Sequence, residues 1–189
     1  MTDRPLASDD DPSRTLRPLR RVRQFREFTA QPLSEAELDA LADVARWSGS
    51  SRNSQPWRFI VIRDLDSIRR IGETGMPQTR SLGTATTVIA ITLPSEPSRA
   101  VSDAFDDGRV AERILIAASF LGLGAGIAWV RAGVRAPIGA ILGLPADRMI
   151  RTIIALGHPT ESARAPKSAP GEARLPGEEV IFQERWPSA

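Results

Sequence analysis

The sequence feature that most constrains the fold is an uncharged stretch of 17 residues, 114–130, which three glycines interrupt. A helix that crosses a bilayer needs roughly 20 apolar residues, and clustered glycines end a helix. The stretch therefore predicts a buried helix that ends near Leu121, a glycine turn, and a short strand over residues 127–130. Because the glycines follow a helix in the spacing GxGxG, they do not form the strand–GxGxxG–helix turn of dinucleotide-binding folds.

Local signals place the remaining elements. Ser34 and Glu37 form a Ser-x-x-Glu capping box, which predicts the start of an amphipathic helix. Asp66 is expected to cap a shorter helix, and Pro137 and Gly143 to delimit another. Apolar runs bounded by turn residues predict strands. These strands cover residues 57–62, 87–93 and 149–156, and the long helix covers residues 103–121.

The length of 189 residues suits a single core. We expect residues 1–16, which are polar and contain two prolines, to form a disordered leader, and residues 17–189 to form one domain. The end of that domain, residues 160–189, is rich in Pro and Gly but carries apolar side chains. It therefore predicts an arm that must dock on another surface. The apolar anchors of this arm are Val180, Ile181, Phe182 and Trp186.

The residue types that are missing exclude several chemistries. The chain has no cysteine, no tyrosine and one histidine, His158. A zinc site of Cys and His, a cysteine nucleophile and a disulfide framework are therefore excluded. No metal site is predicted. The 25 basic and 23 acidic residues nearly balance, which argues against a general nucleic-acid surface. The first residues are acidic where a secretory peptide is apolar, so we expect a cytoplasmic protein.

Three arginines lie close together before Phe25, namely Arg20, Arg21 and Arg23. Guanidinium groups bind phosphate oxygens in pairs of hydrogen bonds, so the cluster suits a phosphate group. A solvated basic turn or an RNA-facing patch is the alternative explanation.

A loop of small and polar residues, 48–55, joins the first amphipathic helix to the first strand. Hydroxyl groups, amides and free backbone N–H groups in such a loop are able to hold a polar ligand. An ordinary helix-ending turn explains the composition equally well. In the glycine turn, the absence of side chains would allow the backbone to approach a flat ring closely.

The order of these features resembles the nitroreductase family of flavoproteins. The most specific match is to the family pattern Pro-Ser-x-x-Asn-x-Gln-Pro-Trp, in which only the first proline is replaced, by Gly49. The matching residues are Ser50, Asn53, Gln55, Pro56 and Trp57. Further segments resemble the family's Leu-Gly-Leu-Gly, Leu-Gly-Leu-Pro, Gly-x-Pro and Arg-x-Pro elements in the same order. These segments are residues 121–124, 141–145, 156–159 and 174–176.

The resemblance implies an FMN site. The phosphate-binding residues that it implies are Arg20, Arg21, Arg23 and Arg174. The polar loop would contact the flavin bound by the partner subunit through Ser50, Ser51 and Asn53, with Gln55 close by. Ala128 and Trp129 would supply the backbone near the isoalloxazine face.

The fold that the resemblance implies is an α+β sandwich, in which helices flank a mixed, mostly antiparallel sheet. It also implies a homodimer with flavin sites at the interface and with exchanged C-terminal arms, which would add an edge strand to the partner.

The implied activity is that of an FMN oxidoreductase. NAD(P)H would reduce the flavin, and a small oxidised acceptor such as a nitroaromatic or a quinone would reoxidise it in a ping-pong cycle, without a catalytic side chain. One alternative keeps the fold but changes the flavin reaction to dehydrogenation, dehalogenation or flavin breakdown. A second alternative is a flavin-free, arginine-rich binding module, although the few aromatic residues form no stacking array.

Overall fold

A computed structural model describes residues 12–166, 168 and 174–187. Its centre is a four-stranded sheet in the order β1-β2-β4-β3, and all three pairings are antiparallel. The strands are β1 (Arg58–Ile62), β2 (Thr87–Pro94), β3 (Gly124–Trp129) and β4 (Arg148–Gly157). The helices are α1 (Pro12–Arg21), α2 (Glu35–Arg46), α3 (Leu65–Gly72), α4 (Ala100–Phe120), α5 (Arg135–Leu142), α6 (Glu161–Arg164) and α7 (Gly177–Val180). The α+β class is confirmed.

Helices cover both faces of the sheet. Neighbouring residues of β4 therefore enter different apolar clusters, because side chains alternate between the faces of a strand. Ile154 and Leu156 pack with α2 and α4, whereas Ile153 and Ala155 pack with α3 and α5. Burial on both faces explains the continuous apolar runs of β2, residues 88–91, and of β4, residues 153–156.

The long helix, the glycine turn and the strand occur in the predicted order. Helix α4 ends at Phe120, Gly122 adopts a positive φ of 72°, and β3 begins two residues later. The amide of Leu123 donates to the carbonyl of Ala118 at 2.9 Å, which closes the turn. A helix long and apolar enough to cross a membrane is not found among the described residues.

The predicted capping box is also confirmed. The Ser34 hydroxyl accepts a hydrogen bond from the Glu37 amide at 3.3 Å, and the Glu37 carboxylate accepts one from the Ser34 amide at 2.7 Å. The prediction for α3 was wrong by two residues, since Asp64 caps the helix by accepting from the Ser67 amide at 2.9 Å. Asp66 lies inside the first turn and pairs with Arg69 instead.

The boundary of the expected leader also differs. Helix α1 begins at Pro12, inside the segment 1–16, whereas residues 1–11 lie outside the described residues. Proline is tolerated in the first turn of a helix, where its missing N–H has no partner to lose. None of the residues of α1 is buried, and its two leucines, Leu16 and Leu19, lie among arginines and on either side of Pro18, so the helical pattern is weak in the sequence.

Candidate functional site

The polar loop, residues 48–55, has an unusual backbone. Arg52, Asn53 and Gln55 have φ values of 52°, 53° and 45°, in the left-handed region that residues other than glycine seldom adopt. Each such residue costs roughly 1–3 kcal/mol, and such strain clusters at functional sites. Three of them within four positions make this loop the first candidate for a binding element.

Hydrogen bonds hold the loop in this conformation. The Ser50 hydroxyl accepts from the Gln55 amide at 2.9 Å, and the Ser50 carbonyl accepts from the Asn53 amide at 3.1 Å. The Ser51 amide donates to both carboxylate oxygens of Asp106 on α4, at 3.2 and 3.0 Å. Ser51, Asn53 and Gln55 remain exposed, so their polar groups are accessible to a ligand.

The residue that departs from the family pattern, Gly49, lies against a flexible side chain of α4. The guanidinium of Arg109 on α4 occupies the space that a side chain at Gly49 would take. Glycine at this position therefore lets Arg109 lie against the loop, where its Nη1 is 3.4 Å from the Asp106 carboxylate.

The predicted phosphate-binding arginines lie elsewhere. The guanidinium of Arg23 donates to the carbonyls of Ala163, at 2.9 Å, of Ala165, at 3.1 Å, and of Arg164. It also lies over the ring of Phe25, 4.8 Å from its centre. Arg23 therefore clamps the end of α6 in this chain, whereas Arg20 and Arg21 are exposed at the end of α1 and Arg174 is exposed in the arm.

The polar loop and the segment that Arg23 clamps are attached to different parts of α4. The polar loop is attached to Asp106 near the start of α4, while the segment clamped by Arg23 contacts the opposite end, where Arg164 donates to the Gly122 carbonyl. Phe120 lies 14 positions after Asp106, which corresponds to about 21 Å along the helix axis. The loop and the clamped segment therefore contact different parts of α4.

The remaining predicted site residues lie on β3. Ala128 is fully buried, and Trp129, at the end of the strand, is 52% exposed. At the two glycines of β3, the chain itself occupies the space that a side chain would take. A side chain at Gly126 would collide with the Phe25 carbonyl oxygen, and one at Gly124 with the rings of Phe25 and Phe28. These glycines accommodate the chain's own N-terminal segment.

Three acidic residues on α4 were missed by the sequence patterns. Asp103, Asp106 and Asp107 are buried; Asp103 pairs with Arg99 at 3.2 Å. The two later aspartates lie four and three residues before the buried Val110, and Asp103 lies three and four residues before them, so all share one helix face. The helical spacing alone could therefore have indicated that they are buried. Among the described residues, these three do not form a group that could hold a metal ion.

A groove of about 960 Å³ runs between α2 and α4 beside the polar loop. Ser48 and Gly49 line it together with two phenylalanines of α4, Phe105 and Phe120, which are 72% and 66% exposed. Large apolar side chains exposed in a continuous groove indicate a surface that another molecule covers.

Comparisons with known proteins agree with this fold and loop. Residues 19–81 match the model of the nitroreductase family. A protein of Archaeoglobus fulgidus, provisionally named NADH dehydrogenase/NAD(P)H nitroreductase, is 26% identical over 74% of this chain and 82% of its own length. An NADH dehydrogenase of Thermus thermophilus is 26% identical over 85% of this chain and 91% of its own.

Solved structures share the fold at lower identity. A provisionally named nitroreductase of Desulfovibrio desulfuricans, solved in complex with FMN, superposes with a TM-score of 0.75 at 24% identity, over 98% of this chain and 100% of its own. The family match, the curated relatives and the shared fold together confirm that this chain is similar to the nitroreductase family, whose fold it has.

Proposed function

We propose that the chain is an FMN-dependent oxidoreductase that uses NAD(P)H to reduce a small oxidised acceptor, such as a nitroaromatic or a quinone. The observation that carries the proposal is the polar loop, in which three strained residues other than glycine present accessible polar groups. Strain of this kind persists where the surrounding structure holds it and where it serves a ligand.

The polar groups of the chain fit FMN. Its phosphate needs cationic donors, which the exposed Arg20, Arg21 and Arg174 would supply; Arg23 would join them only by giving up the carbonyls at the end of α6 that it contacts in this chain. The polar edge of its ring needs donors and acceptors of both kinds, which serine, asparagine and glutamine side chains provide. The loop residues for this role are Ser50, Ser51, Asn53 and Gln55. The exposed Trp129 and the backbone of Ala128 would border the ring.

We further propose that the site forms between two copies of the chain. The attachment of the polar loop and of the Arg23 segment to different parts of α4 supports it, and the groove beside the loop offers an apolar surface for the second copy. The arm supports the same arrangement, because Val180, Ile181 and Trp186 are exposed in the single chain. Docked on a partner, these side chains would become buried.

The division of chemistry follows from the residues present. Bound FMN would supply the redox reaction, and the protein would supply binding, orientation and electrostatics. The guanidinium groups would neutralise the phosphate, and the rigid loop would fix the ring edge. NAD(P)H and the acceptor would occupy the same space in turn, which is a ping-pong order. None of these roles requires a side chain that transfers a proton.

The first test is the absorbance spectrum of the purified protein before and after addition of FMN. We expect the yellow of a bound flavin, which NADH or NADPH bleaches in the absence of oxygen and an added quinone restores. A preparation that stays colourless after incubation with FMN would contradict the proposal and favour an arginine-rich binding module. Bleaching without restoration by a quinone or a nitroaromatic would indicate a different flavin reaction.

A further inference from the structure

We infer that Asp106 is a positioning residue, whose buried carboxylate fixes the polar loop in the conformation that receives FMN. The inference rests on the proposed function and adds a residue to it. Asp106 is 2% exposed and would not touch the flavin itself, since its carboxylate accepts from the Ser51 amide and from the guanidinium of Arg109.

The geometry of the contact is that of an anchor. Both oxygens of Asp106 accept from one N–H group, that of Ser51, at 3.2 and 3.0 Å. Ser51 opens the one-turn 3₁₀ helix Ser51–Asn53, so its amide has no partner within that turn. A hydrogen bond to a charged acceptor is stronger than one between neutral groups. Such a bond suits Ser51, because the strained residues Arg52 and Asn53 come directly after it.

Arg58 of β1 donates to the Gln55 carbonyl at 3.0 Å and so holds the last residue of the loop, but the bonds within the loop cannot anchor its strained turn. The bonds from Gln55 to Ser50 and from Asn53 to Ser50 join parts of the loop to each other and would move with it. Asp106 belongs to α4, which is held in the core by the fully buried Val110 and Ile114. The carboxylate therefore ties the strained turn to a rigid element.

The neighbouring buried acids have other partners. Asp103 pairs with Arg99, and Asp107 accepts from the Thr152 hydroxyl, so neither forms a hydrogen bond with the loop in the described structure. Asp107 therefore provides a control: its substitution changes a buried carboxylate one residue away without removing the anchor.

The experiment compares variants that remove the bond from either side. Asp106→Ala removes the acceptor, while Asp106→Asn keeps an oxygen in its place. Ser51→Pro removes the donor, and the extended backbone of Ser50, with φ −141° and ψ 161°, tolerates a following proline. Ser51→Ala is the reference for Ser51→Pro, because both lack the hydroxyl and only proline lacks the N–H.

Two measurements are made on each variant after its fold has been checked by circular dichroism. The first is amide hydrogen exchange over residues 48–57 without FMN, with residues 110–118 as the internal reference. The second is the FMN dissociation constant from quenching of flavin fluorescence. We expect Asp106→Ala to speed exchange in the loop alone and to weaken FMN binding on the order of tenfold, as for the loss of one charge-assisted hydrogen bond.

The variants should fall into two groups. Ser51→Pro should weaken binding tenfold relative to Ser51→Ala, and combining it with Asp106→Ala should add little, because both remove the same bond. Asp106→Asn should recover most of the affinity, and Asp107→Asn should bind FMN like the wild type.

Unchanged FMN affinity in Asp106→Ala would overturn the inference, whether or not loop exchange rises. A wild-type protein that binds no FMN would instead overturn the proposed function, and the exchange rates would still show whether Asp106 holds the loop.

Discussion

Asp107 on α4 accepts a hydrogen bond of 2.7 Å from the hydroxyl of Thr152 on β4, so a buried carboxyl group joins the long helix to the central strand. Burial raises the pKa of Asp107 to about 6, against the opposing effects of this hydrogen bond and of Arg151 and Arg135. The ordinary pKa of the group is 3.8. The protonation of Asp107 therefore differs between the folded and unfolded chain in the interval between these values.

The first prediction concerns stability and pH. Between pH 3.8 and about 6 the folded state binds more protons at Asp107 than the unfolded state does. The contribution of this group to the free energy of unfolding therefore falls as the pH rises through that interval. We expect Asp107→Asn to remove this contribution. As the pH rises from 3.8 to above about 6, the difference in unfolding free energy between the two proteins should then shift by at most about 3 kcal/mol in favour of the variant.

Urea unfolding of both proteins between about pH 4 and pH 7 checks this prediction. The pKa values of Glu37, Asp64 and Glu96 are lowered by hydrogen bonds, and their effects on stability have the opposite sign. Those effects are common to both proteins and cancel in the difference. A stability difference that stays constant over this pH range would contradict the prediction.

The second prediction concerns the groove between α2 and α4. Glutamate in place of both Phe105 and Phe120 would put unpaired charges into a covered apolar surface. We expect the dissociation constant of the dimer to rise on the order of a hundredfold or more, and bound FMN to be lost with it. Sedimentation velocity over a concentration series gives the constant.

Leu65→Glu is the control, because Leu65 is also exposed but begins α3 on the opposite face of the sheet. An equal weakening of the dimer in this variant would count against the groove.

The third prediction tests whether the site is shared. Arg20→Ala with Arg174→Ala should damage the phosphate side, and Ser50→Ala with Asn53→Ala the ring side, so neither double variant should retain FMN alone. When both are co-expressed, half of the dimers are mixed and each has one intact site. FMN should then occupy roughly a quarter of all sites. No recovery of yellow colour above the separate variants would show that each site lies within one chain.

The fourth prediction concerns the contact of β3 with the N-terminal segment. A methyl group at Gly126 would meet the Phe25 carbonyl, and the segment cannot move without straining the 2.8 Å bond from the Phe25 amide to the Ala125 carbonyl. We expect Gly126→Ala to cost about 1–3 kcal/mol in urea unfolding. Gly133→Ala has open space around the new methyl group and should change stability by less than about 0.5 kcal/mol. Equal effects of the two would refute the steric explanation.

Elements defined by local signals were predictable from the sequence. The capping box of Ser34 and Glu37 depends on residues within a few positions of each other, and so does the turn at Gly122. Such contacts are visible in the sequence because they do not depend on how distant segments pack. Helix α1 was missed for a related reason. It has no buried face, and Pro12 looks like a helix breaker although it occupies a helix start.

The site was predictable only in part. The polar loop could be found because its residues are contiguous, whereas its attachment depends on Asp106, 55 positions away. The contact of Asp107 with Thr152 spans 45 positions in the same way. In a sequence, an aspartate on the apolar stripe of a helix interrupts the period, and only the packed structure shows which donor it meets.

The two edges of the sheet differ, and the difference limits how copies of the chain can join. On β3 the outer edge is covered, since the Phe25 amide and the Gln24 side chain bond to Ala125 and Ile127. Strand β1 has one strand neighbour in the described part of the sheet, so its outer edge is the one that remains for an added strand. If the arm of each copy pairs with the outer edge of β1 in the other copy, neither sheet keeps an unpaired edge strand. Assembly would then end at the pair instead of continuing into a filament.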